Sequence, residues 1–290
     1  MIYVNGKPMK IERFEDGTQK MMNIALPDIC NNEVVFDWRY QSDGELLTLM
    51  FLVNHFKDSD VSGRYILKLP YLPYARMDRI KSENEVFTLK WFCKIINSLE
   101  FDKVLVLDPH SNVGPALLNK VKACSPAKYI TRAIEQIGSE NLVAYYPDFG
   151  AYKKYKELFK VNPFCYGKKI RDWKTSKVVG LEIENEMNVN LEGKTILMID
   201  DIVAYGDTMF RGANELKKLG ADKIYAYVTH TEMAALDESE GKMLKALDSG
   251  MIERLFTTDS IFLGEHEKIT VYQLTAANGD DWIESDFLRC

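Results

Sequence analysis

The residues best equipped for chemistry stand together in Ile199-Asp200-Asp201-Ile202-Val203-Ala204-Tyr205-Gly206-Asp207-Thr208. An apolar run, Lys194-Thr-Ile-Leu-Met-Ile-Asp200, delivers two adjacent carboxylates, and a small-residue loop then leads into a helical pattern. Two such carboxylates can accept hydrogen bonds from the vicinal hydroxyls of a ribose, directly or through Mg2+ and water. Loop amides and a helix N-terminus behind them can hold anionic oxygens further along the same ligand. A strand-end Asp pair can also merely cap the next helix. The four apolar residues before the pair and the Gly-x-Thr loop after it favour the binding role.

These side chains need elements to hold them, and the chain supplies a recurring order of strand, polar turn and helix. Apolar runs predict strands at 64–70, 103–108, 141–147, 194–200 and 223–230. Helical spacing predicts helices at 85–99, 152–159 and 209–219, the last closed by Gly220. Near-continuous apolar strands alternating with helices indicate an α/β fold with mainly parallel sheets flanked by helices. Polar residues are expected just past the C-terminal strand ends: Arg76/Asp78/Arg79, Asp108/His110, Asp148, Asp200/Asp201 and Thr229/His230. In parallel sheets that edge is where ligands bind.

A length of 290 residues exceeds one ordinary core, and two domains, 1–126 and 127–290, are expected on either side of Ser125-Pro126. A composition of 46% hydrophobic and 28% charged residues is that of a globular protein. There is no apolar run of membrane length and no signal-type core in Met1–Lys10. Cys30, Cys93, Cys124, Cys165 and Cys290 form no CxxC pair, so neither a disulfide frame nor a zinc site is expected, and a cytoplasmic, reducing setting is the simplest. A net charge of −6 gives nucleic acid no general attraction.

Further segments carry a resemblance. The acidic segment is similar to the phosphoribosyl-pyrophosphate (PRPP) binding signature of phosphoribosyltransferases and PRPP synthetases. Leu69-Pro-Tyr-Leu-Pro-Tyr-Ala-Arg76-Met-Asp78-Arg79 resembles the PRPP synthetase stretch Pro-Tyr-x-x-Tyr-Ala-Arg-Gln-Asp-Arg. Val106-Leu-Asp108-Pro-His110-Ser111 resembles that family's Asp-Leu-His-Ala turn, and Tyr146-Pro-Asp148-Phe-Gly150 its Ser-Pro-Asp-x-Gly turn. Lys168-Lys169-Ile-Arg171 falls where the family has a Lys-x-Arg loop. Thr257-Thr-Asp-Ser-Ile261 and Lys268-Ile-Thr-Val271 resemble its closing segments. The matches run in the family's order along nearly the whole chain.

The resemblance implies two phosphoribosyltransferase-like domains with ATP between them, and transfer of the β,γ-diphosphate of ATP to a ribose 1-hydroxyl with release of AMP. It implies ATP binding by Arg76, Asp78, Arg79 and His110, and by Phe14 and Asp16 reading adenine from a neighbouring subunit of a homo-oligomer. It implies Mg2+ on His110 and Asp148, and Lys169 and Arg171 as catalytic cations on a mobile loop. Asp200, Asp201, Ala204, Tyr205, Gly206, Asp207 and Thr208 would hold the acceptor. A phosphoribosyltransferase and a non-catalytic regulatory homologue are the alternatives.

The departures from the family concentrate on the acceptor side. Where its loop wraps a 5-phosphate with Asp-Thr-x-Gly-Thr, this chain has Tyr205 and Asp207. A carboxylate about 4 Å from a phosphate repels it by ~4 kcal/mol at an effective dielectric near 20. A 5-diphosphate diester carries less charge per phosphate, and Tyr205 could stack on the adenosine beyond it. The loop therefore favours ADP-ribose over ribose 5-phosphate as acceptor. Thr18 replaces the family's Glu, and the segment 80–87 lacks its Ser-Arg-Ala-Pro-Ile pattern and is acidic at Glu83 and Glu85.

Overall fold

The computed structural model describes residues 1–27, 32–138, 140–158, 163–171, 178–185 and 187–274, with backbone alone at 169–171 and 178–179. The chain divides into two compact units, Met1–Ser125 and Pro126–Cys290.

In the first unit, β1 (Ile2–Val4), β2 (Lys7–Pro8), β5 (Glu33–Trp38), β6 (Arg64–Leu69), β7 (Lys103–Leu107) and β8 (Val121–Cys124) form a six-stranded sheet in the order β2-β1-β5-β6-β7-β8. The pairs from β5 to β8 are parallel, and β1 is antiparallel to both β5 and β2. A two-stranded hairpin, β3 (Glu12–Arg13) and β4 (Gln19–Lys20), stands apart from it. Strand β5 alternates, burying Val34, Phe36 and Trp38, whereas β7 buries Val104 to Leu107 without a break. Helices α1 (Gly44–Asp58), α2 (Thr88–Ser98) and the short α3 (Val113–Leu117) accompany the sheet. Helix α2 starts later than its apolar spacing predicts, because the Glu85 carboxylate accepts from the Lys81 amide at 2.7 Å and closes a turn ahead of it.

In the second unit a seven-stranded sheet has the order β11-β10-β9-β12-β13-β14-β15. Its strands are β9 (Leu142–Tyr146), β10 (Phe164–Arg171), β11 (Val178–Glu184), β12 (Thr195–Val203), β13 (Lys223–Thr231), β14 (Arg254–Thr258) and β15 (Ile269–Tyr272). All neighbours are parallel except β10 and β11. Helices α4 (Ala127–Ile137), α5 (Phe149–Tyr155), α6 (Asp207–Lys218) and α7 (Lys242–Asp248), with a 3-10 turn at Met233–Leu236, complete it. Val143, Tyr145, Met198, Ala213, Leu216, Ala226 and Val228 are fully buried in its core.

From β9 the chain steps outward to β10 and β11, then returns to β12 and proceeds the other way. The order therefore reverses between β9 and β12, and at such a switch point the flanking loops diverge and open a crevice at the C-terminal strand ends.

Candidate functional site

The acidic pair sits at that reversal, but within the strand rather than past its end. Strand β12 stays paired with β13 through Ile202↔His230 and Val203↔Thr231, whereas its pairing with β9 stops at Met198↔Tyr145. Asp200 and Asp201 therefore lie beyond the end of β9 while their backbone is fixed by the β13 ladder. Thr229 and His230 are likewise strand residues, buried in a hydroxyl-rich network. His230 Nδ1 lies 2.8 Å from Ser260 Oγ, and the Thr258 hydroxyl donates to the Thr229 carbonyl at 2.7 Å.

The two carboxylates have different surroundings. Asp200 Oδ1 accepts the Asp201 amide at 2.9 Å. Burial, then Asp201, then the charge of Asp148 hold the Asp200 carboxyl well above the ordinary carboxylate range. Asp201 is buried and lies 3.5 Å from the ammonium of Lys154 on α5. Tyr145, fully buried, brings in a phenol hydroxyl without a hydrogen-bond partner among the described residues. Its ionisation is pushed far up, by burial first and then by charges including Asp148 and Asp200.

Asp148 does what the plainest chemistry of a strand-end Asp predicts. Its Oδ1 accepts the amides of Gly150 and Ala151, each at 3.0 Å, and caps α5. That cap starts the helix at Phe149, ahead of the expected 152. One oxygen is thus committed to the fold. Among the described residues, no three His, Cys, Asp or Glu side chains form a metal-holding group.

The loop after the pair is held by its own backbone. The Tyr205 carbonyl accepts from the amides of Lys242 and Met243 at 2.7 and 2.9 Å. Gly206 has φ +93°, and a Cβ there would fall 2.7 Å from the Met243 nitrogen. Only glycine fits both requirements. Ala204 and Thr208 are partly buried, Tyr205 is 42% exposed, and Asp207 is exposed in the first turn of α6, where a negative charge suits the helix dipole. Lys169 and Arg171 belong to β10 rather than to a loop, since their backbones pair with Leu181 and Val178 of β11. Their side chains lie outside the described residues.

In the first unit two of the expected ATP residues, Arg79 and His110, lie close to Asp78. Arg79 Nε approaches Asp78 Oδ1 at 2.8 Å and its Nη2 approaches Oδ2 at 3.4 Å. Burial pushes the Asp78 carboxyl up, but hydrogen bonds from Arg79 and Ser111 and the nearby charges of Arg79 and His110 prevail and hold it below its ordinary value. Arg76, Arg79 and His110 are exposed. Planar guanidinium groups fixed in this way suit phosphate oxygens.

The first turn of α1 anchors this region, which sequence reasoning did not foresee. Asp43 accepts the hydroxyls of Tyr40, at 2.8 Å, and of Tyr74, whose φ is +62° in the loop before Arg76. The same turn holds the β3–β4 hairpin, because Gln19 donates to the Gly44 carbonyl at 2.8 Å and accepts from Thr48 at 2.9 Å. The hairpin exposes Phe14, and Asp16 accepts the amide and hydroxyl of Thr18. Asp16 therefore shapes its own turn, with Thr18 supplying the partner.

Lys154 is the other residue the sequence left unremarked. It was one lysine among several in a polar helix, and only the fold sets it against the acidic pair.

Two α/β units, the second with its acidic pair at a parallel-sheet switch point, define a protein of phosphoribosyltransferase-like architecture. No protein-family model matches the chain. It is similar to the ribose-phosphate pyrophosphokinases of Pyrococcus furiosus, at 24% identity over 83% of either chain, and of Thermococcus kodakarensis, at 27% over 77% of either chain. The corresponding Saccharolobus solfataricus protein is 26% identical over 80% of this chain and 77% of its own. In structure the chain matches phosphoribosylpyrophosphate synthetase from Mycobacterium smegmatis with a TM-score of 0.73 at 18% identity, over 91% of this chain and 85% of that one. The chain thus shares the synthetase fold and is related to ribose-phosphate pyrophosphokinases, which are diphosphate-transferring enzymes by name.

Proposed function

We propose that this protein is an ATP-dependent diphosphotransferase that moves the β,γ-diphosphate of ATP to the 1-hydroxyl of a 5-phosphorylated ribose. The observation that carries the reading is the acidic pair at the β9/β12 reversal, within a chain related along most of its length to pyrophosphokinases. In the reaction a bond forms between the anomeric oxygen and Pβ, the Pα–O–Pβ bridge breaks toward AMP, and the hydroxyl proton is released. Such transfers depend on positioning and on charge placed around the moving group. Asp201 accepts from the sugar diol. Asp200, holding a proton more tightly, can also donate.

Arg76 and Arg79 hold triphosphate oxygens, Asp78 fixing the plane of Arg79. Lys169 and Arg171 supply charge to the transferred group. The carboxylate oxygens fit the Mg2+ that the resemblance implies, a hard cation; Asp148 would hold it, and it would neutralise triphosphate charge. The nitrogen of His110 suits it less. Exposed Phe14, on a hairpin tied to α1, supports adenine reading between subunits of a homo-oligomer. No described helix is long and apolar enough to cross a membrane.

The acceptor we favour is ADP-ribose, giving ADP-ribose 1-diphosphate. Tyr205, exposed on a loop whose backbone is pinned to α7, supports this by offering an aromatic side chain in the loop that follows the pair. Incubation with Mg-ATP and either ADP-ribose or ribose 5-phosphate, followed by mass analysis, tests both levels. AMP and a diphosphorylated acceptor are expected without any nucleobase, which also separates the reading from a phosphoribosyltransferase. Faster turnover of ribose 5-phosphate would remove the larger acceptor, and absence of AMP with every acceptor would remove the enzyme.

A further inference from the structure

Helix α5 brings two opposite charges to the acidic pair. Its capping residue Asp148 adds negative charge near Asp200, and Lys154, a turn and a half later, places an ammonium 3.5 Å from Asp201 Oδ2. The Lys154 side chain is 25% exposed and that of Asp201 8%. This contact is therefore screened far less than the ion pair just past the end of α5, Lys156 with Glu157, whose side chains are 41% and 83% exposed. A half-buried lysine keeps its charge only where a carboxylate repays its desolvation, and the carboxylate is then held in one rotamer.

Three features make Lys154 more than a surface charge. Its partner is the member of the pair assigned to the sugar diol. The partner's backbone is fixed by the β13 ladder, so the ion pair settles the remaining side-chain freedom of Asp201. The ammonium, 5.1 Å from the centre of the Tyr155 ring, is itself packed on a fully buried aromatic residue.

We infer that Lys154 is a positioning residue of the acceptor site, holding the Asp201 carboxylate in the orientation that grips the ribose hydroxyls. The inference rests on the diphosphotransferase reading and adds to it a residue acting through Asp201 on one substrate only. An ammonium held there also offsets the charge that the Asp201 carboxylate presents to an anionic sugar phosphate. Removing it should therefore weaken acceptor binding both by loosening Asp201 and by leaving the pair more repulsive.

The test compares wild type, Lys154→Gln, Lys154→Arg and the neighbouring control Lys156→Gln, with ATP and acceptor varied separately. Lys154→Gln is expected to raise the acceptor KM on the order of 10- to 100-fold, with the ATP KM changed less than about twofold. Lys154→Arg should restore most of the loss, and Lys156→Gln should match wild type. Circular dichroism melting of each variant identifies a folding defect, which would lower the active fraction, and so Vmax, without moving the acceptor KM alone. Wild-type AMP release with an unchanged acceptor KM in Lys154→Gln overturns the inference alone, as does an equal rise for both substrates. No AMP release by wild type overturns the reading and the inference together.

Discussion

Gly206→Ala should cost the second unit far more than a turn glycine ordinarily does. The residue has φ +93°, so an alanine there carries the left-handed penalty of about 1–2 kcal/mol. The new Cβ would also fall 2.7 Å from the nitrogen and 2.8 Å from the Cβ of Met243, and forced overpacking adds about 1–3 kcal/mol. Relief requires Met243 to withdraw, which weakens the 2.9 Å bond from its amide to the Tyr205 carbonyl, worth about 1 kcal/mol. The expected loss is roughly 3–5 kcal/mol, allowing for partial relaxation. Gly193→Ala is the control: its φ is +68° and a Cβ there meets nothing within 4 Å, so only the left-handed term of about 1–2 kcal/mol applies. Urea denaturation followed by circular dichroism measures both. If Gly206→Ala costs no more than Gly193→Ala, the loop yields freely and the claim that α7 pins it is wrong. If the cost is as large as predicted, the acceptor KM should rise as well, because Tyr205 is displaced.

Asp148→Ala removes the acceptor of two α5 amides and should cost about 1–2 kcal/mol, while Asp148→Asn, which keeps a capping oxygen, should restore stability but not activity; equal stability of the two variants in urea melts would contradict the capping geometry. The Asp200 carboxyl is held above its ordinary value, so the folded state takes up a proton there, and the stability this gives is lost as pH rises from the ordinary carboxylate range through the raised value. Asp200→Asn should therefore stabilise the protein at pH 7, flatten the fall in stability with rising pH, and abolish acceptor binding. A less stable Asn variant at pH 7 would refute that sign.

Where apolar runs dominated, the fold was legible in the sequence. The strands expected at 103–108 and 194–200 form as Lys103–Leu107 and Thr195–Val203, because parallel strands covered on both faces need little but Val, Ile and Leu. Their limits were harder to read. Asp is disfavoured in strands, so the pattern ended β12 at the acidic pair, yet the ladder with β13 carries it on to Val203. The segment containing Lys169 and Arg171, which the resemblance placed on a mobile loop, is a strand whose backbone pairs antiparallel with β11. Asp148 is readable as a cap from its place before Phe149-Gly150, whereas its metal role rests on the resemblance alone. Asp43 and Lys154 could not have been found from spacing, because each meets its partner across a tertiary contact: Tyr74 in one case, Asp201 in the other.

The mismatch in length between β12 and β9 separates two jobs that a shorter strand would have to merge. The carboxylates borrow rigidity from the neighbouring strand, whereas the stretch 204–208 takes its support from α7. A lineage could thus remodel residues 204–208 without shifting the acidic pair. Divergence in substrate size would then appear in that short stretch and in α7, and hardly at all in the sheet.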